Sequence, residues 1–390
     1  MAPISRPRIL YIAYPLLTVT DESAGGAEQV LWILEREMAK RDTLTTTVAA
    51  SAGSRASGEL FSTGEPCHQP DDYERRRAEH EDRVVEFVRR RAREGRAFDL
   101  VHDKSGSFWR RAAEIETPVL ATLHLPRSFY PAQSFQNVAE SVSFNCVSQA
   151  QASDFAGLSA LSGVVANGIA LDRFAPDSGS GEECSPHRRE GLLWLGRICE
   201  EKAPHLALEI AARAGLPITI AGQVYPFSYH QQYFEKEVAP RLRRMPSANL
   251  VASPSAELKR RLLREAKALL ITSLADETSS LVAMEAAASA TPVIAFRRGA
   301  LAEVVQDGVT GFLVDSVDEA ALALQQVSRI SPAACVQHAR ENFSASKMAE
   351  RYIHLYERLW DTAAQNRSKK FLQETLPATI FRKRDVLLGG

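Results

Sequence analysis

Short apolar runs rich in β-branched residues alternate with stretches whose apolar positions recur at helical spacing, and the alternation occurs twice along the chain. In the first half, strands are predicted at 8–14, 45–50, 98–102, 119–123, 144–147 and 164–166. Helices are predicted at about 27–40, where Val30, Leu31, Leu34 and Met38 make one face, at 74–93 with Val84, Val85 and Val88 inward, at 109–115, and after Ser148. Residues 51–72 are polar with Gly and Pro and read as a mobile loop. The second half restarts with strands at 192–195, 218–221, 249–252, 268–272 and 292–296, then a turn and short strand in DGVTGFLVD. Helices fall at 205–214, 229–242, 256–267, 319–328, 332–342 and 346–360. Repeated βα units imply an α/β protein with parallel sheets covered by helices on both faces.

At 390 residues the chain exceeds one ordinary core. The predicted division is a first Rossmann-like domain at 1–171, a linker at 172–190, a second Rossmann-like domain at 191–345, a helix at 346–361 packing back toward the first domain, and a basic, mobile tail at 362–390. The linker reading rests on Pro176 and the polar DSGSGEE and SPHRRE stretches. A formal net charge of −1 gives no overall field for nucleic acid. Five scattered cysteines (Cys67, Cys146, Cys184, Cys199, Cys335), with no C-x-x-C pair, read as free thiols of a reducing compartment. The apolar start is interrupted by Tyr11, Tyr14 and Pro15, so it reads as a buried strand rather than a signal peptide, and a cytoplasmic protein is expected. The clusters Lys369-Lys370 and Arg382-Lys383-Arg384 are a slight signal for a peripheral position on the inner membrane face.

The candidate chemistry centres on 273–296, SLADETSSLVAMEAAASATPVIAF, which reads as loop, helix and strand after the 268–272 strand. Glu277 and Glu285 are eight apart; the first is expected at the loop–helix junction and the second two turns in, both facing one cleft. Such a pair is either a solvated face or, at the carboxyl end of a parallel strand, a pair of ligand carboxylates. Buried acids need donors, and sugar hydroxyls are donors. Gly25-Gly26, between strand and helix, is either an ordinary turn or a close approach for an anion. Arg197 and Lys202 follow a strand end and are either surface ion-pair partners or a diphosphate clamp. His124, and more weakly His102 and Asp103, sit at strand ends, where a histidine is either structural or faces a cleft. Dinucleotide and P-loop fingerprints are absent, as is any D-x-D.

Taken together, Gly25-Gly26, TLHLP around His124, Asn167-Gly168, GRICEEK, Ala221-Gly222, ETSSLVAMEA, TPVIAF and DGVTGFLV resemble the family-4 glycosyltransferases of GT-B fold across about 8–361. The resemblance implies two Rossmann-like domains facing across a cleft and a retaining, metal-independent hexosyltransferase. Such an enzyme moves a hexose from a nucleotide diphosphate, of UDP or GDP type, to a glycan, lipid-linked or small-molecule hydroxyl. No cofactor and no tightly bound metal are expected. The family pattern implies that Glu277 contacts the donor sugar and Glu285 the ribose, and that Arg197 and Lys202 hold the diphosphate. It also implies that Gly25, Gly26 and Gly222 allow close backbone approach, that His124 faces the sugar, and that 249–257 border the base. Ser279, Ser280 and Leu281 complete the donor side. The chain departs from the pattern at Thr278, Ser279 and Ser280, at Ser289-Ala290 where relatives carry Cys-Gly, and at Ala203 where a glycine is common. The same two-domain cleft also suits a nucleotide-sugar epimerase or hydrolase, and the departures at Ser279 and Ser280 leave room for a catalytically silent sugar-nucleotide-binding protein.

Overall fold

The computed structural model describes residues 6–23, 25–67, 70–174 and 190–375. The apolar runs of the first half become β1 (Arg8–Ile12), β2 (Thr45–Ala50), β3 (Glu59–Ser62), β4 (Leu100–Asp103), β5 (Val119–Thr122), β6 (Val142–Cys146) and β7 (Leu161–Val164). Those of the second half become β8 (Leu192–Arg197), β9 (Ile218–Gln223), β10 (Ala248–Ala252), β11 (Ala268–Ile271), β12 (Val293–Phe296) and β13 (Gly311–Val314). They form two sheets, in the orders β3-β2-β1-β4-β5-β6-β7 and β10-β9-β8-β11-β12-β13. Every pairing is parallel.

The period-2 pattern sorts neighbouring residues of the second sheet to opposite faces. Leu193, Leu195, Leu269 and Ile271 join one core cluster, while Leu192, Trp194, Ala268 and Leu270 join the other. Both faces are thus apolar, as a parallel sheet buried between helices requires. In each sheet the strand order reverses beside its first strand: between β1 and β4, and between β8 and β11. Crevices outside the carboxyl ends of strands at such reversals are where open α/β sheets hold ligands.

The stretch 51–72, read from sequence as a loop, contains β3, an edge strand. Its residues are mostly exposed, so no alternation marks it. Distant contacts hold it instead. The Glu35 carboxylate accepts from Thr46 Oγ1 at 2.6 Å, Ser57 N at 2.9 Å and Gly58 N at 2.8 Å, and Phe61 stacks on Phe87 with centroids 4.0 Å apart. The predicted 229–242 helix runs from 228 to 244 with a π-helical turn at Phe234–Val238.

The chain divides into two compact units, one through Ala349 and one from Glu350. Both sheets lie in the first. The last helix, Ala345–Thr375, continues into the second and extends past the predicted end at 360. Of the expected linker at 172–190, residues 175–189 lie outside the described residues, as do residues 376–390 of the expected tail at 362–390. Among the described residues no helix is long and apolar enough to cross a membrane.

Candidate functional site

Arg197 ends β8 at the reversal point of the second sheet. The chain then turns through Glu200–Lys202 into the helix Pro204–Ala214. Thr272, just past β11, fixes this turn by donating its hydroxyl to Ala203 O at 2.8 Å and Lys202 O at 3.2 Å. Ala203 sits at φ 47°, ψ 53°, a left-handed backbone that glycine adopts without cost. The glycine of the resembling family therefore has a geometric counterpart here, filled by alanine.

Glu277 is not at a helix start. The helix spans Leu281–Ala288, with Ser280 extended at φ −138°, ψ 91°. Glu277 thus lies in the preceding loop and Glu285 about one turn into the helix, which corrects the expectation of Glu277 at the loop–helix junction and Glu285 two turns in. The physical reason is backbone pairing. Glu277 O accepts from Ala300 N at 2.7 Å, and a Cβ at Gly299 would stand 2.3 Å from that same oxygen. That tether holds the loop against the turn after β12.

Each acid has a lysine partner. Lys202 Nζ lies 2.5 Å from Glu277 Oε1, which also accepts from Ser273 Oγ. Lys259 Nζ lies 2.7 Å from Glu285 Oε1. Glu285 is buried, and its Oε2 has no protein partner. A buried carboxylate oxygen without a partner is costly, and a ligand hydroxyl can satisfy it.

A cavity of about 440 Å³ lies between the two sheets' reversal points. The first domain contributes Gly26, Gln29 and Trp32; the second contributes Arg197, Gly222, Tyr225, Lys259, Leu281 and Glu285. Ser253, Pro254 and Ala256, from the stretch expected to border the base, also line it. Arg197 stands over the Tyr225 ring at 5.7 Å, and its Nε is buried without a protein partner. A Cβ on Gly26 would meet Leu281 Cδ1 at 3.3 Å, so this glycine brings the first domain's helix start against the second domain's. Gly222 serves the sheet as well, since a Cβ there would stand 1.8 Å from Gly196 O.

Gly25, His124, Lys202, Glu277, Ser279 and Ser280 do not line this cavity. Gly25 precedes the helix Gly26–Ala39, and a Cβ there would collide with the Glu28 carboxylate at 2.0 Å. His124 O accepts from Thr278 Oγ1 at 2.8 Å, tying the end of β5 to the acid-bearing loop. Its ring Nε2 is buried without a protein partner, and burial, then the Lys104 charge, hold the imidazole well below the usual range. It is therefore neutral at pH 7. Ser279 Oγ is buried without a protein partner, and the Ser280 side chain does not cap its helix. His102 and Asp103 belong to a buried network: His102 Nε2 meets Thr122 Oγ1 at 2.8 Å, and Asp103 accepts from Ser105 N, Ser105 Oγ and Trp109 N.

Sequence reasoning missed Lys259, Glu28 and Glu303. The signal for Lys259 was the need of Glu285 for a cation, but its position follows only from the fold. Glu303 accepts from Gln149 N at 2.9 Å and Ala150 N at 2.6 Å, a second polar bridge between the domains. Glu28 is buried, which raises its carboxyl to about 7.

Residues 182–340 match the family model of glycosyl transferases group 1. Among curated proteins it is 32% identical over 254 residues to the D-inositol 3-phosphate glycosyltransferase of Geodermatophilus obscurus, covering 58% of this chain and 52% of that one. It is 32% identical over 217 residues to the protein of the same name from Streptomyces avermitilis, covering 52% and 44%. The chain thus spans about half the length of these relatives. Among solved structures, sucrose-phosphate synthase from Thermosynechococcus elongatus matches with TM-score 0.71 at 19% identity, over 92% of this chain and all of that one. Anabaena Alr3699/HepE in complex with UDP and glucose also matches at 0.71, with 16% identity over 90% of this chain and all of that one. AviGT4, a glycosyltransferase involved in avilamycin A biosynthesis, matches at 0.67, with 20% identity over 91% and 98%. The fold is GT-B, as the sequence resemblance implies.

Proposed function

We propose that this protein is a retaining glycosyltransferase that moves a hexose from a nucleoside diphosphate to an acceptor hydroxyl without a catalytic metal. The observation that carries this reading is the joint presence of Arg197 and the Glu285 carboxylate in one cavity between two Rossmann-like domains, with Gly26 and Gly222 beside them. Arg197 supplies a fixed cation for the diphosphate, and Glu285 Oε2 an acceptor for ribose hydroxyls. Lys202 is the second cation, released to phosphate from its bond with Glu277, which then turns to the sugar. His124, neutral, donates or accepts a hydrogen bond without adding charge near the departing diphosphate.

As the glycosidic bond breaks, negative charge grows on the leaving phosphate. Cations fixed there stabilise the transition state more than the ground state. Front-face attack, with the leaving phosphate taking the acceptor's proton, needs no protein nucleophile. The HepE complexes with UDP and UDP-glucose favour a uridine donor over a guanosine one. The relatives' name favours a small phosphorylated polyol as acceptor.

The test is incubation with UDP-, GDP- and ADP-linked hexoses and an acceptor panel that includes D-inositol 3-phosphate. A new glycoside that keeps the donor's anomeric configuration, read by mass and coupling constant, is the expected product. Absence of both glycoside and released nucleotide across the panel overturns the reading.

A further inference from the structure

Cys199, Glu201 and His230 bring a sulfur, a carboxylate oxygen and an imidazole nitrogen within 4.8 Å of one another. Cys199 and Glu201 stand on the turn after β8; His230 belongs to the helix Ser228–Tyr233 that follows β9. Cys199 and His230 are wholly buried, each at 0% exposure. Both ring nitrogens of His230 are buried without a protein partner, and so is Glu201 Oε2. The ring is instead surrounded by aromatic side chains, with centroids of Tyr229 at 4.3 Å, Phe227 at 5.3 Å and Tyr225 at 6.2 Å. An imidazole so placed has no polar use for either nitrogen unless something further binds there. None of the three residues lines the donor cavity, so the cluster is separate from the site described above.

We propose that Cys199, Glu201 and His230 bind a divalent transition metal of the zinc class. Thiolate, imidazole and carboxylate together are the donor set that zinc accepts, at metal–donor distances of about 2.0–2.3 Å. In a tetrahedral site two such bonds hold their donors about 3.3–3.6 Å apart, so side-chain shifts of up to about 1 Å bring the three donors into range. Charge also balances: binding expels the thiol proton to solvent, and thiolate plus carboxylate neutralise the ion. The cluster's net charge beside Arg197 therefore goes from −1, carried by the Glu201 carboxylate, to zero. Three protein donors leave the fourth tetrahedral position to a solvent ligand, while the rings of Tyr225, Phe227 and Tyr229 pack around His230.

The ion would join the turn that follows Arg197 to the helix after β9. Cys199 Sγ already lies 3.5 Å from Arg197 O, so fixing the sulfur fixes the backbone that carries the guanidinium. Its part is structural, and the proposed transfer chemistry remains metal-independent.

The test uses the full chain and needs no glycosyl donor. Zinc content is measured after gel filtration, and Co²⁺ is then titrated into metal-stripped protein. One zinc per chain and a near-ultraviolet thiolate-to-cobalt absorption are expected. Cys199→Ser should abolish that absorption, and His230→Gln should weaken Co²⁺ binding at least tenfold, both with unchanged far-ultraviolet dichroism. Substoichiometric zinc together with no cobalt absorption overturns the proposal, as does an absorption that persists in Cys199→Ser. If His230→Gln unfolds the protein, Glu201→Gln provides the second reading, with the same tenfold loss expected and unchanged affinity counting against the site.

Discussion

Lys202 Nζ and Glu277 Oε1 are 2.5 Å apart, so two groups that the resemblance assigns to the donor are bonded to each other. Each neutralises the other until a ligand enters. Replacing Lys202 by Ala removes a cation and also leaves Glu277 as an uncompensated anion facing phosphate. Lys202→Ala should therefore weaken nucleoside diphosphate binding by roughly 10–100-fold, or about 1.5–3 kcal/mol for a charge-assisted bond. Lys202→Ala/Glu277→Gln should recover part of that loss. Calorimetric affinities of the two variants decide it; equal affinities would mean that Glu277 is not felt at the phosphate.

Glu285 is more deeply placed, its side chain 4% exposed, with Lys259 at 2.7 Å. Breaking one side of such a pair strands the other. Lys259→Ala should cost about 3–5 kcal/mol of stability, as removal of one member of a buried pair does. Glu285→Gln, which keeps shape and removes charge, should cost less stability but weaken nucleotide binding. Thermal midpoints and calorimetry on the same two proteins separate these effects. A Glu285→Gln protein with normal nucleotide affinity would remove Glu285 from the ribose role.

Two departures from the family's glycines have a backbone meaning: Ala203 stands at φ 47° and Ala290 at φ 59°. A left-handed backbone costs a non-glycine residue about 1–2 kcal/mol. Against that relief, replacement by glycine loses a buried methyl, about 0.8 kcal/mol, and gives up about 0.4–1 kcal/mol in unfolded-state entropy. Ala203→Gly and Ala290→Gly should therefore fall within about 0.5–1 kcal/mol of neutral. Ala211→Gly, equally buried but inside the helix Pro204–Ala214, should cost about 1.5–2 kcal/mol because it adds helix propensity to the lost methyl. Urea midpoints of the three variants test the ordering.

Glu28 links stability to pH. Burial raises its carboxyl from 4.5 to about 7 in the folded protein. The folded state therefore holds a proton that the unfolded state releases across this window. The contribution of Glu28 is fully present below about 4.5 and is lost as pH rises through about 7. Glu28→Gln abolishes this dependence, so the stability of the variant relative to the native chain should increase from pH 4.5 to pH 7 and then level off. Parallel melting curves across that range check the slope; a constant difference would contradict the raised value.

Much of the fold was legible because buried parallel strands are uninterrupted apolar runs, as in ALLI of β11 and VIAF of β12. The edge strand β3 was not, since Leu60 is exposed and Glu35, 24 residues earlier in sequence than Glu59, holds its entry. At the site, Arg197 and Gly222 were visible as polar or small residues closing apolar runs. The loop placement of Glu277 was hidden, because Thr278, Ser279 and Ser280 carry no helix-breaking residue. What stops the helix is the tether from Ala300 N to Glu277 O, a contact no local pattern encodes. The partners Lys202 and Lys259 were likewise invisible as partners, lying 75 and 26 residues from their acids.

The central claim is that Arg197 and Glu285 line a site for a nucleoside diphosphate. Calorimetric titration of UDP, GDP, ADP and dTDP into the native protein and Arg197→Ala, with no divalent metal added, tests it most directly. The account predicts micromolar binding of one nucleotide by the native protein and a loss of roughly 10–100-fold in Arg197→Ala, the worth of a charge-assisted contact. No binding of any nucleotide, or equal binding by both proteins, would contradict it.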